Sequence, residues 1–409
     1  MFAKGFPYNI SEPFLENEYP LYKEYFDRVL IVTGCKKGEK PTRDILDPVI
    51  HILNDYTLAK DRKSILEALP YVVTDRLFYQ ELWCLIKEKK FTPKRFYRLL
   101  VMSVCGNHRA LLAKKWIDSM KLWNDIDVIY SYWLDIPAYA AVRLASTGKN
   151  GPIKTVSRCH GFDIYAERRA ENYMPCQQEI LNHMDMVASV SKAGAEYLQK
   201  KYQNVDMIST RYLGCKDKSA VNPLTERDPL RIISCARVVP LKRLERIVDG
   251  LRLITGQKII WTHIGGGNGL SDLMAYADKR LPANIAVKWV GTIPNEEVYD
   301  LYRTTPFHAF VSVSSTEGLP VSMCEAFSFH IPIIATDVGG VSEVVDHNVN
   351  GLLLSADFTD EEFAEAVMHI ASMNESDYQS MRKAARSKFK ASFDAIKNNR
   401  KFIEDFLVN

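Results

Sequence analysis

Short apolar runs alternate with amphipathic stretches through the second half of the chain. The apolar runs are continuous, which indicates strands that are buried on both faces of a sheet. We predict strands at 230–236, 258–264, 285–290, 308–314 and 331–335. We predict helices at 244–255, 270–279, 296–303, from about 320 onward, and at 341–345. This order predicts an α/β fold, with a parallel sheet covered by helices on both faces.

The first half of the chain shows the same rhythm with one long interruption. Its predicted strands are 28–32, 128–131, 154–157 and 186–189, and the stretch 44–122 is predicted to be mostly helical. A chain of 409 residues fits two domains better than one. A polar segment with two prolines, 216–229, indicates the boundary between them. We therefore predict one domain at 1–218 and a second at 219–390.

The start of the first domain is unusual. Only Met1 to Lys4 precede the turn-like Gly5-Phe6-Pro7, although a doubly wound domain opens with a full strand. Two explanations stay open: an unusually short first strand, or a protein that starts upstream of Met1.

Bulk composition restricts the class of protein. The hydrophobic fraction of 47% and the net charge of +3 are ordinary for a soluble protein. No apolar run approaches the roughly 20 residues that span a bilayer, and the N-terminus lacks the layout of a secretion signal. The eight cysteines are scattered without a Cys-x-x-Cys pair. These features predict a cytoplasmic protein with reduced thiols and without a zinc site.

Two glutamates mark the strongest candidate site. Glu317 follows the strand at 308–314, and Glu325 lies eight positions later in the helix that starts near Pro320. Ligands of α/β sheets bind beyond the carboxyl ends of strands, where helix N-termini favour phosphate. Two carboxylates beside such a site can accept hydrogen bonds from hydroxyls. The arrangement suits a sugar nucleotide.

A second loop supplies positive charge. Arg237 and Lys242 follow the strand that ends at Ala236, so they lie at the same edge of the sheet as Glu317. Fixed cations stabilise a departing diphosphate without a metal. Taken alone, the two cations fit a solvated loop equally well, and the neighbouring glutamates favour the functional interpretation.

Several motifs together resemble the retaining family 4 glycosyltransferases of GT-B fold. The resemblance covers the second half of the chain and thins toward the start, where Phe6-Pro7-Tyr8 and Glu12-x-Phe14-Leu15-Glu16 are similar to members that build capsular and exopolysaccharides. The motifs that carry it are Arg237 with Lys242, Glu317-x7-Glu325, Asp337-Val338-Gly339-Gly340-Val341-Ser342-Glu343, Asn350-Gly351-Leu352 and Ser157-Arg158-Cys159-His160-Gly161-Phe162-Asp163.

The resemblance implies a role for each matching residue. Arg237 and Lys242 would bind the donor diphosphate, Glu317 the hydroxyls of the donor sugar, and Glu325 the ribose. The remaining donor-binding positions would be Gly318, Leu319, Pro320, Val321 and Ser322 near the sugar and phosphate, Thr292 and Ile293 near the base, and Asp163.

His160 is the candidate catalytic residue of the first domain. A lone histidine is more often structural, but His160 ends a strand, precedes Gly161 and has Asp163 close by. These features and the resemblance favour a role in orienting the donor sugar and the acceptor.

The resemblance also implies the architecture: two Rossmann-like domains that face each other across a cleft, with a C-terminal helix, 391–409, returning to the first domain. The expected activity is transfer of a sugar, with retention, from a nucleotide sugar to a glycan or lipid-linked acceptor of a surface polysaccharide such as a capsule. A UDP-sugar is the favoured donor, and neither a metal nor another cofactor is expected. A front-face route and a double displacement through Glu317 both stay open.

Two other classes of function stay open as alternatives. One is a sugar-nucleotide epimerase or a phosphorylase of similar fold. The other is a non-catalytic sugar-binding subunit that supports an active transferase, although such a subunit has no need to keep the diphosphate-binding residues.

Two short motifs are set aside. Asp125-Ile126-Asp127 resembles a metal-binding Asp-x-Asp, but it precedes its strand and so lies at the opposite edge of the sheet from the ligand site. The glycine run 265–269 lacks the spacing and the following acid of a dinucleotide-binding fingerprint.

The helical stretch of the first domain holds a basic and aromatic cluster between 83 and 116. Its cations and aromatic residues are Lys87, Lys89, Lys90, Lys94, Arg95, Arg98, Arg109, Lys114, Lys115, Trp83, Phe91, Phe96, Tyr97 and Trp116. Two interpretations stay open: a surface for anionic membrane lipid at 87–115, or a solvated helix face with its aromatics in the core. Nucleic acid is not expected, because the rest of the chain is balanced in charge.

Overall fold

The computed structural model describes residues 1–8, 12–36, 38–45, 47–55, 62–148, 151, 153–203 and 205–408. They form two compact units, the first made of Met1–Arg211 with Ile396–Asn409 and the second of Tyr212–Ala395. Each unit contains parallel strands with helices between them, which confirms the predicted α/β fold with two Rossmann-like domains. No helix in the described ranges is both long enough and apolar enough to cross a membrane.

The second unit is built on a six-stranded parallel sheet. All five strands predicted for this half form, and a sixth, β12, adds to them. The strands are β7 (Leu230–Cys235), β8 (Ile259–Ile264), β9 (Ile285–Gly291), β10 (Ala309–Ser312), β11 (Ile333–Thr336) and β12 (Gly351–Leu354). Their order across the sheet is β12-β11-β10-β7-β8-β9.

The helices of the second unit cover a sheet whose central side chains are fully buried. Ile232, Ile233 and Ile334 are each 0% exposed, as continuous apolar strands require. The helices are α9 (Glu245–Leu251), α10 (Leu270–Arg280), α11 (Asn295–Thr304), α12 (Val321–Ser328), α13 (Val341–Val344), α14 (Asp360–Ser372) and α15 (Glu375–Ser392).

The sheet of the first unit is held together by the first residues of the chain. Its strands are β1 (Val29–Gly34), β2 (Ile50–Asp55), β3 (Val128–Ser131), β4 (Lys154–Cys159), β5 (Met186–Ser189) and β6 (Ile208–Thr210). β1 pairs with β2, while β3 to β6 form a four-stranded parallel sheet. Phe2 pairs with both Val32 and Ser131, so residues 1–4 lie between the two groups of strands as a very short strand.

The helices of the first unit include one long helix, α4, of 28 residues. They are α1 (Leu15–Glu18), α2 (Arg62–Val73), α3 (Arg76–Lys87), α4 (Pro93–Met120), α5 (Ile136–Ala145), α6 (Gly161–Ile164), α7 (Gln177–Leu181), α8 (Lys192–Lys201) and α16 (Ala395–Phe402).

The prediction that 44–122 is mostly helical was wrong at its start. Ile50–Asp55 forms a strand parallel to β1. The strand ends at Asp55, which is fully buried and accepts hydrogen bonds from Arg109 Nε and His108 Nδ1, each at 2.8 Å. Those long-range partners stabilise a strand that the local pattern does not reveal.

The boundaries between the units differ by a few residues from those predicted. The chain passes from the first unit to the second between Arg211 and Tyr212 rather than after residue 218. It re-enters the first unit after Ala395 rather than after residue 390. The segment 216–229 is part of the second unit. Asn222 is 1% exposed, donates to Tyr302 O at 2.7 Å and accepts from Phe307 N at 2.9 Å.

The C-terminal residues pack on the first unit through a buried arginine. Arg158 on β4 is 0% exposed, and its Nη2 lies 3.0 Å from Asn399 Oδ1 and 3.2 Å from Glu18 Oε2. Its guanidinium also lies 3.8 Å from the centre of the Phe402 ring. The next residues on β4 lead to His160, so this anchor supports the candidate site.

We predict that the second unit loses stability as the pH falls from about 6.5 to about 4. Burial lowers the pKa of His308 and of His263 to about 4. His308 Nδ1 accepts a hydrogen bond from Arg231 N at 2.9 Å, which requires the neutral ring. The unfolded chain binds these protons near pH 6.5, so each histidine costs on the order of 2–3 kcal/mol once the pH is well below that value.

Urea unfolding between pH 7 and pH 4.5 measures this loss. The His308→Asn variant keeps an acceptor near the position of Nδ1 but does not titrate, so its stability should fall less steeply with pH. If the stability of the variant and of the parent falls equally with pH, His308 does not contribute to the loss of stability at low pH.

Candidate functional site

The predicted site residues of the second unit meet at one edge of its sheet. Every strand there is parallel, so the loops that follow β7, β8, β9, β10 and β11 emerge on the same side. β7 and β10 are neighbours, and the chain continues from them toward opposite ends of the sheet. Such a reversal opens a crevice between two loops, and ligands of α/β sheets bind there. The loops at this crevice carry Lys242 and Glu317.

Lys242 and Glu317 are in direct contact at the crevice. Lys242 Nζ lies 2.5 Å from Glu317 Oε1, and the side chains are 22% and 13% exposed. Arg237, on the same loop as Lys242, is exposed. Lys242 and Glu317, predicted from two separate motifs, are therefore brought together by the pairing of β7 with β10.

Arg243 clips the Lys242 loop to the end of β10, a role that the sequence did not indicate. Arg243 has a left-handed backbone, with φ of 46°, and donates to Val313 O at 2.8 Å and to Ser314 O at 3.1 Å. It also donates to Ala356 O at 2.9 Å. The first two bonds hold the loop against the segment between β10 and Glu317, and the third ties it to the segment that follows β12.

A glycine pair supports the backbone of Glu317. Gly340 N donates to Gly318 O at 3.1 Å. Gly339 has φ of 58°, and a Cβ built on it would lie 2.0 Å from Glu317 O. Only glycine allows this approach without a shift of the backbone. The Asp337-Val338-Gly339-Gly340 motif thus packs directly beneath Glu317.

Glu325 lies in the helix that starts at the crevice. α12 begins at Val321 with Pro320 as its N-cap, one residue later than the sequence predicted. The segment 318–322 therefore forms the turn and the first helical residues, where amide groups lack partners within the helix. Glu325 is 8% exposed.

Two residues that the sequence did not indicate hold the Glu325 carboxyl. Asn295 Nδ2 and Tyr299 OH, both on α11, donate to Glu325 Oε1 at 3.0 and 3.1 Å. Burial raises the pKa of Glu325, and these two hydrogen bonds oppose that rise. With Oε1 held by α11, the carboxyl has a fixed orientation.

The glycine run after β8 packs against neighbouring backbone. Gly265 has φ of 138°, and a Cβ on it would lie 1.9 Å from Ala236 O. Val238 N donates to Gly266 O at 2.9 Å, and Gly265 N donates to Gly291 O at 2.8 Å. The loop that carries Thr292 and Ile293 is thereby linked through this run to the loop that carries Arg237.

His160 and Asp163 belong to the first unit. The His160 ring lies 5.0 Å from the Tyr132 ring and 4.4 Å from the Trp133 ring, measured between centres. His160 is 9% exposed, and its Nδ1 lies 3.8 Å from Asp163 Oδ2. Neither ring nitrogen makes a hydrogen bond of good geometry among the described residues. A buried imidazole without a good hydrogen bond is costly unless a ligand or another group supplies one.

Asp163 is buried beside His160. It is 0% exposed, and its oxygens accept from His160 N at 2.5 Å and from Leu134 N at 2.7 Å. A fully buried carboxylate that binds two backbone amides positions His160. The expected contact of Asp163 with the donor stays a prediction.

Glu12, in the motif near the start of the chain, binds several backbone amides. It is 1% exposed and accepts from the amides of Lys4, Gly5 and Phe6 at 2.8, 2.9 and 2.6 Å. It also accepts from Trp133 Nε1 at 2.7 Å. One carboxylate thus ties the first turn of the chain to the residue that packs on His160.

The Asp125-x-Asp127 motif lies at the opposite edge of the first sheet. Both residues precede β3 and line a pocket together with Met1, Phe26 and Trp116. Within the described part of the chain, no group of three or more His, Cys, Asp or Glu side chains is arranged to hold a metal ion.

The second unit is similar in sequence to a known protein family. The sequence profile of the family described as "Glycosyl transferases group 1" matches residues 216–388. The chain is 26% identical over 250 residues to the amylovoran biosynthesis glycosyltransferase AmsK of Erwinia amylovora, covering 59% of this chain and 60% of that protein. It is 26% identical over 213 residues to the putative colanic acid biosynthesis glycosyltransferase WcaL of Escherichia coli K12, covering 50% and 52%. The aligned part thus spans between half and two thirds of these relatives.

Solved structures share the fold over nearly the whole chain. The apo form of the lipopolysaccharide outer core galactosyltransferase WaaB superposes with a TM-score of 0.68 at 16% identity, covering 99% of this chain and 98% of that one. HepE of Anabaena in complex with UDP-glucose gives 0.65 at 13% identity, covering 100% and 98%. At these identities the likeness concerns the fold.

We predict that Gly339→Ala destabilises the protein more than Gly256→Ala. Both glycines have positive φ, but a Cβ at Gly256 meets nothing within 4 Å, whereas at Gly339 it meets the backbone of Glu317. Both variants carry backbone strain of about 1 kcal/mol, and the clash at Gly339 adds about 1–3 kcal/mol. Unfolding in urea measures the stability of both variants. Equal losses of stability would show that the loop of Gly339 shifts to accept a Cβ without cost.

Proposed function

We propose that this protein is a retaining glycosyltransferase that transfers a sugar from a nucleotide-sugar donor, preferably a UDP-sugar, to a glycan or lipid-linked acceptor of a surface polysaccharide. The observation that carries the proposal is the contact between Lys242 and Glu317 at the crevice of the second sheet. The contact places an ammonium group, which suits phosphate, directly beside a carboxylate, which suits sugar hydroxyls.

Lys242 and Arg237 would stabilise the leaving diphosphate. An ammonium group has three N–H donors, so the bond to Glu317 leaves others for a phosphate oxygen. The segment 318–322 adds the amide groups at the start of α12. Fixed positive groups supply this stabilisation without reorganisation during the reaction, so the proposed chemistry requires no metal.

Glu325 would hold the ribose of the donor. Its Oε1 accepts from Asn295 and Tyr299, while hydroxyls of a ribose need an acceptor such as Oε2. Thr292 and Ile293, at the end of the neighbouring β9, would line the base.

His160 would orient the reacting sugar and the acceptor. Its two ring nitrogens make no hydrogen bond of good geometry among the described residues, and Asp163, Tyr132 and Trp133 fix the ring. We favour a front-face route, in which the leaving phosphate helps to remove the proton from the acceptor. A double displacement with Glu317 as the nucleophile is the alternative.

The known roles of related proteins support the proposed substrates. One relative acts in amylovoran biosynthesis, and another is assigned to colanic acid biosynthesis. The HepE structures hold UDP-glucose, or UDP with glucose. None of these proteins favours an epimerase or a non-catalytic sugar-binding subunit. A cytoplasmic location is part of the proposal and agrees with eight free cysteines.

We predict that Arg237→Ala and Lys242→Ala each lower the rate of sugar transfer about a hundredfold or more, because each removes a cation from the leaving diphosphate. Release of nucleoside diphosphate from a panel of sugar nucleotides, with UDP-glucose first, measures the rate. Lys279→Ala removes an exposed cation from α10 and is the matched control.

A rate that is unchanged in both site variants would refute the proposed site. Failure of the parent to turn over any sugar nucleotide, while no nucleoside diphosphate raises its melting temperature, would refute the proposed function. A shift with GDP and none with UDP would overturn only the choice of donor.

We predict that Tyr299→Phe weakens the preference for UDP over 2′,3′-dideoxy-UDP. Loss of one hydrogen bond frees the Glu325 carboxyl to turn away from the ribose, with an effect of about fivefold to tenfold on UDP affinity. Isothermal titration with both nucleotides measures the two affinities. Equal weakening of both would mean that Glu325 does not bind the ribose.

A further inference from the structure

Nearly half of the large apolar side chains that are exposed in the described ranges fall between residues 66 and 97. The most regular group runs along α3 at helical spacing. Tyr79, Trp83 and Ile86 are 49%, 65% and 53% exposed, and Phe91, in the turn that leads to α4, is 47% exposed. We call these four residues, together with the neighbouring lysines, the aromatic–basic surface.

The exposed rings rest on a buried aromatic layer. Tyr79 contacts Phe78 with ring centres 5.3 Å apart, Phe78 contacts Phe96 at 6.2 Å, and Phe96 contacts Phe91 at 5.9 Å. Phe78 is only 6% exposed. This chain of contacts joins α3 to the start of α4, so Tyr79 and Phe91 share a packed base. Trp83 follows Tyr79 by four residues and so lies on the same face of α3.

Positive charge surrounds these rings. Lys87, Lys89, Lys90 and Lys94 are all exposed. Lys90 Nζ lies 2.7 Å from Glu88 Oε2, and Lys94 Nζ lies 3.5 Å from Glu171 Oε1. Lys87 and Lys89 form no ion pair within the described part of the chain, so they carry the uncompensated charge. Arg95 has a structural task instead, because it donates to Lys90 O at 3.1 Å and to Glu171 O at 2.8 Å.

The surface is smaller than the sequence suggested. Arg109 is 0% exposed and bound to Asp55, and Lys114 Nζ lies 2.5 Å from Asp118. Phe96 and Trp116 are partly buried, as the core interpretation expects, whereas Trp83 and Phe91 are exposed. Lys115 is exposed, but its Nζ lies 3.4 Å from Glu67 Oε2. The lipid-facing candidates therefore end near residue 97 rather than 115.

We propose that the aromatic–basic surface binds the face of an anionic phospholipid bilayer. Tryptophan and tyrosine favour the interface between water and hydrocarbon, and a helix with aromatics beside lysines lies in that interface. Each lysine near an anionic surface contributes about 1 kcal/mol to binding. A second copy of the chain is a poorer partner, because two such surfaces would bring like charges together. The proposal does not depend on sugar transfer.

Vesicle flotation of the full chain tests the proposal. The vesicles are phosphatidylcholine with 30% phosphatidylglycerol, a chosen composition, and pure phosphatidylcholine is the reference. The parent should float with the anionic vesicles, and less so as salt rises. Lys87→Gln with Lys89→Gln should weaken binding about 30-fold, and Trp83→Ser with Ile86→Ser at least about tenfold.

Met274→Ser with Lys279→Gln makes the same kind of change on α10 of the second unit and is the matched control. It should float like the parent. The melting temperature of every variant, with and without UDP, shows whether the fold persists. The lysine variant changes exposed charges alone and remains informative if the Trp83 variant misfolds.

Tryptophan fluorescence gives a second measurement. Of the six tryptophans, all within the described ranges, Trp83 is the exposed one. Its emission should shift to shorter wavelength with anionic vesicles, and Trp83→Phe should lose that shift.

Three results would overturn the proposal. One is no binding of the parent to anionic vesicles at low salt. Another is equal binding of the parent and the lysine variant. The last is self-association of the parent in the absence of vesicles that Trp83→Ser abolishes, because the surface would then join copies of the chain.

Discussion

The pairing of β7 with β10 is the constraint on which the candidate site depends. These strands are separated by two strands and three helices in sequence, yet they are neighbours in the sheet. Because both are parallel, their following loops emerge side by side and bring Lys242 against Glu317. The sheet brings the two loops to one edge, and the left-handed residues Arg243 and Gly339 then shape the backbone beside the contact.

Around that contact, fixed backbone rather than side-chain packing sets the geometry. Arg243 binds three carbonyl groups and clips one loop, while Gly339 lets another loop lie against Glu317. In the first unit, Glu12 and Asp163 use buried carboxylates to hold backbone amides beside Trp133 and His160. Such bonds are strong in a dry interior, so the reactive side chains are supported by groups that never reach the ligand.

The fold was largely predictable because its strongest signals are local. Continuous apolar runs located the strands of the second unit, and glycines located the turns. The exceptions share a cause. β2 escaped prediction because its stability depends on Asp55 meeting His108 and Arg109, and the 216–229 segment resembled a linker because Asn222 finds its partners some 80 residues away. Contacts between residues that are distant in sequence produce no periodic pattern of hydrophobic positions along the chain.

The sequence by itself determined the class of fold, the loops that carry chemistry and the residue types suited to a sugar nucleotide. The periodicity of hydrophobic residues and the turn residues reflect interactions within a few positions, so both can be recognised in the sequence. The tertiary structure decided which of those loops meet, that Asn295 and Tyr299 orient Glu325, that Asp163 supports His160, and that Trp83 faces solvent while Arg109 does not. These outcomes depend on strand order and burial, which arise only when distant segments pack together.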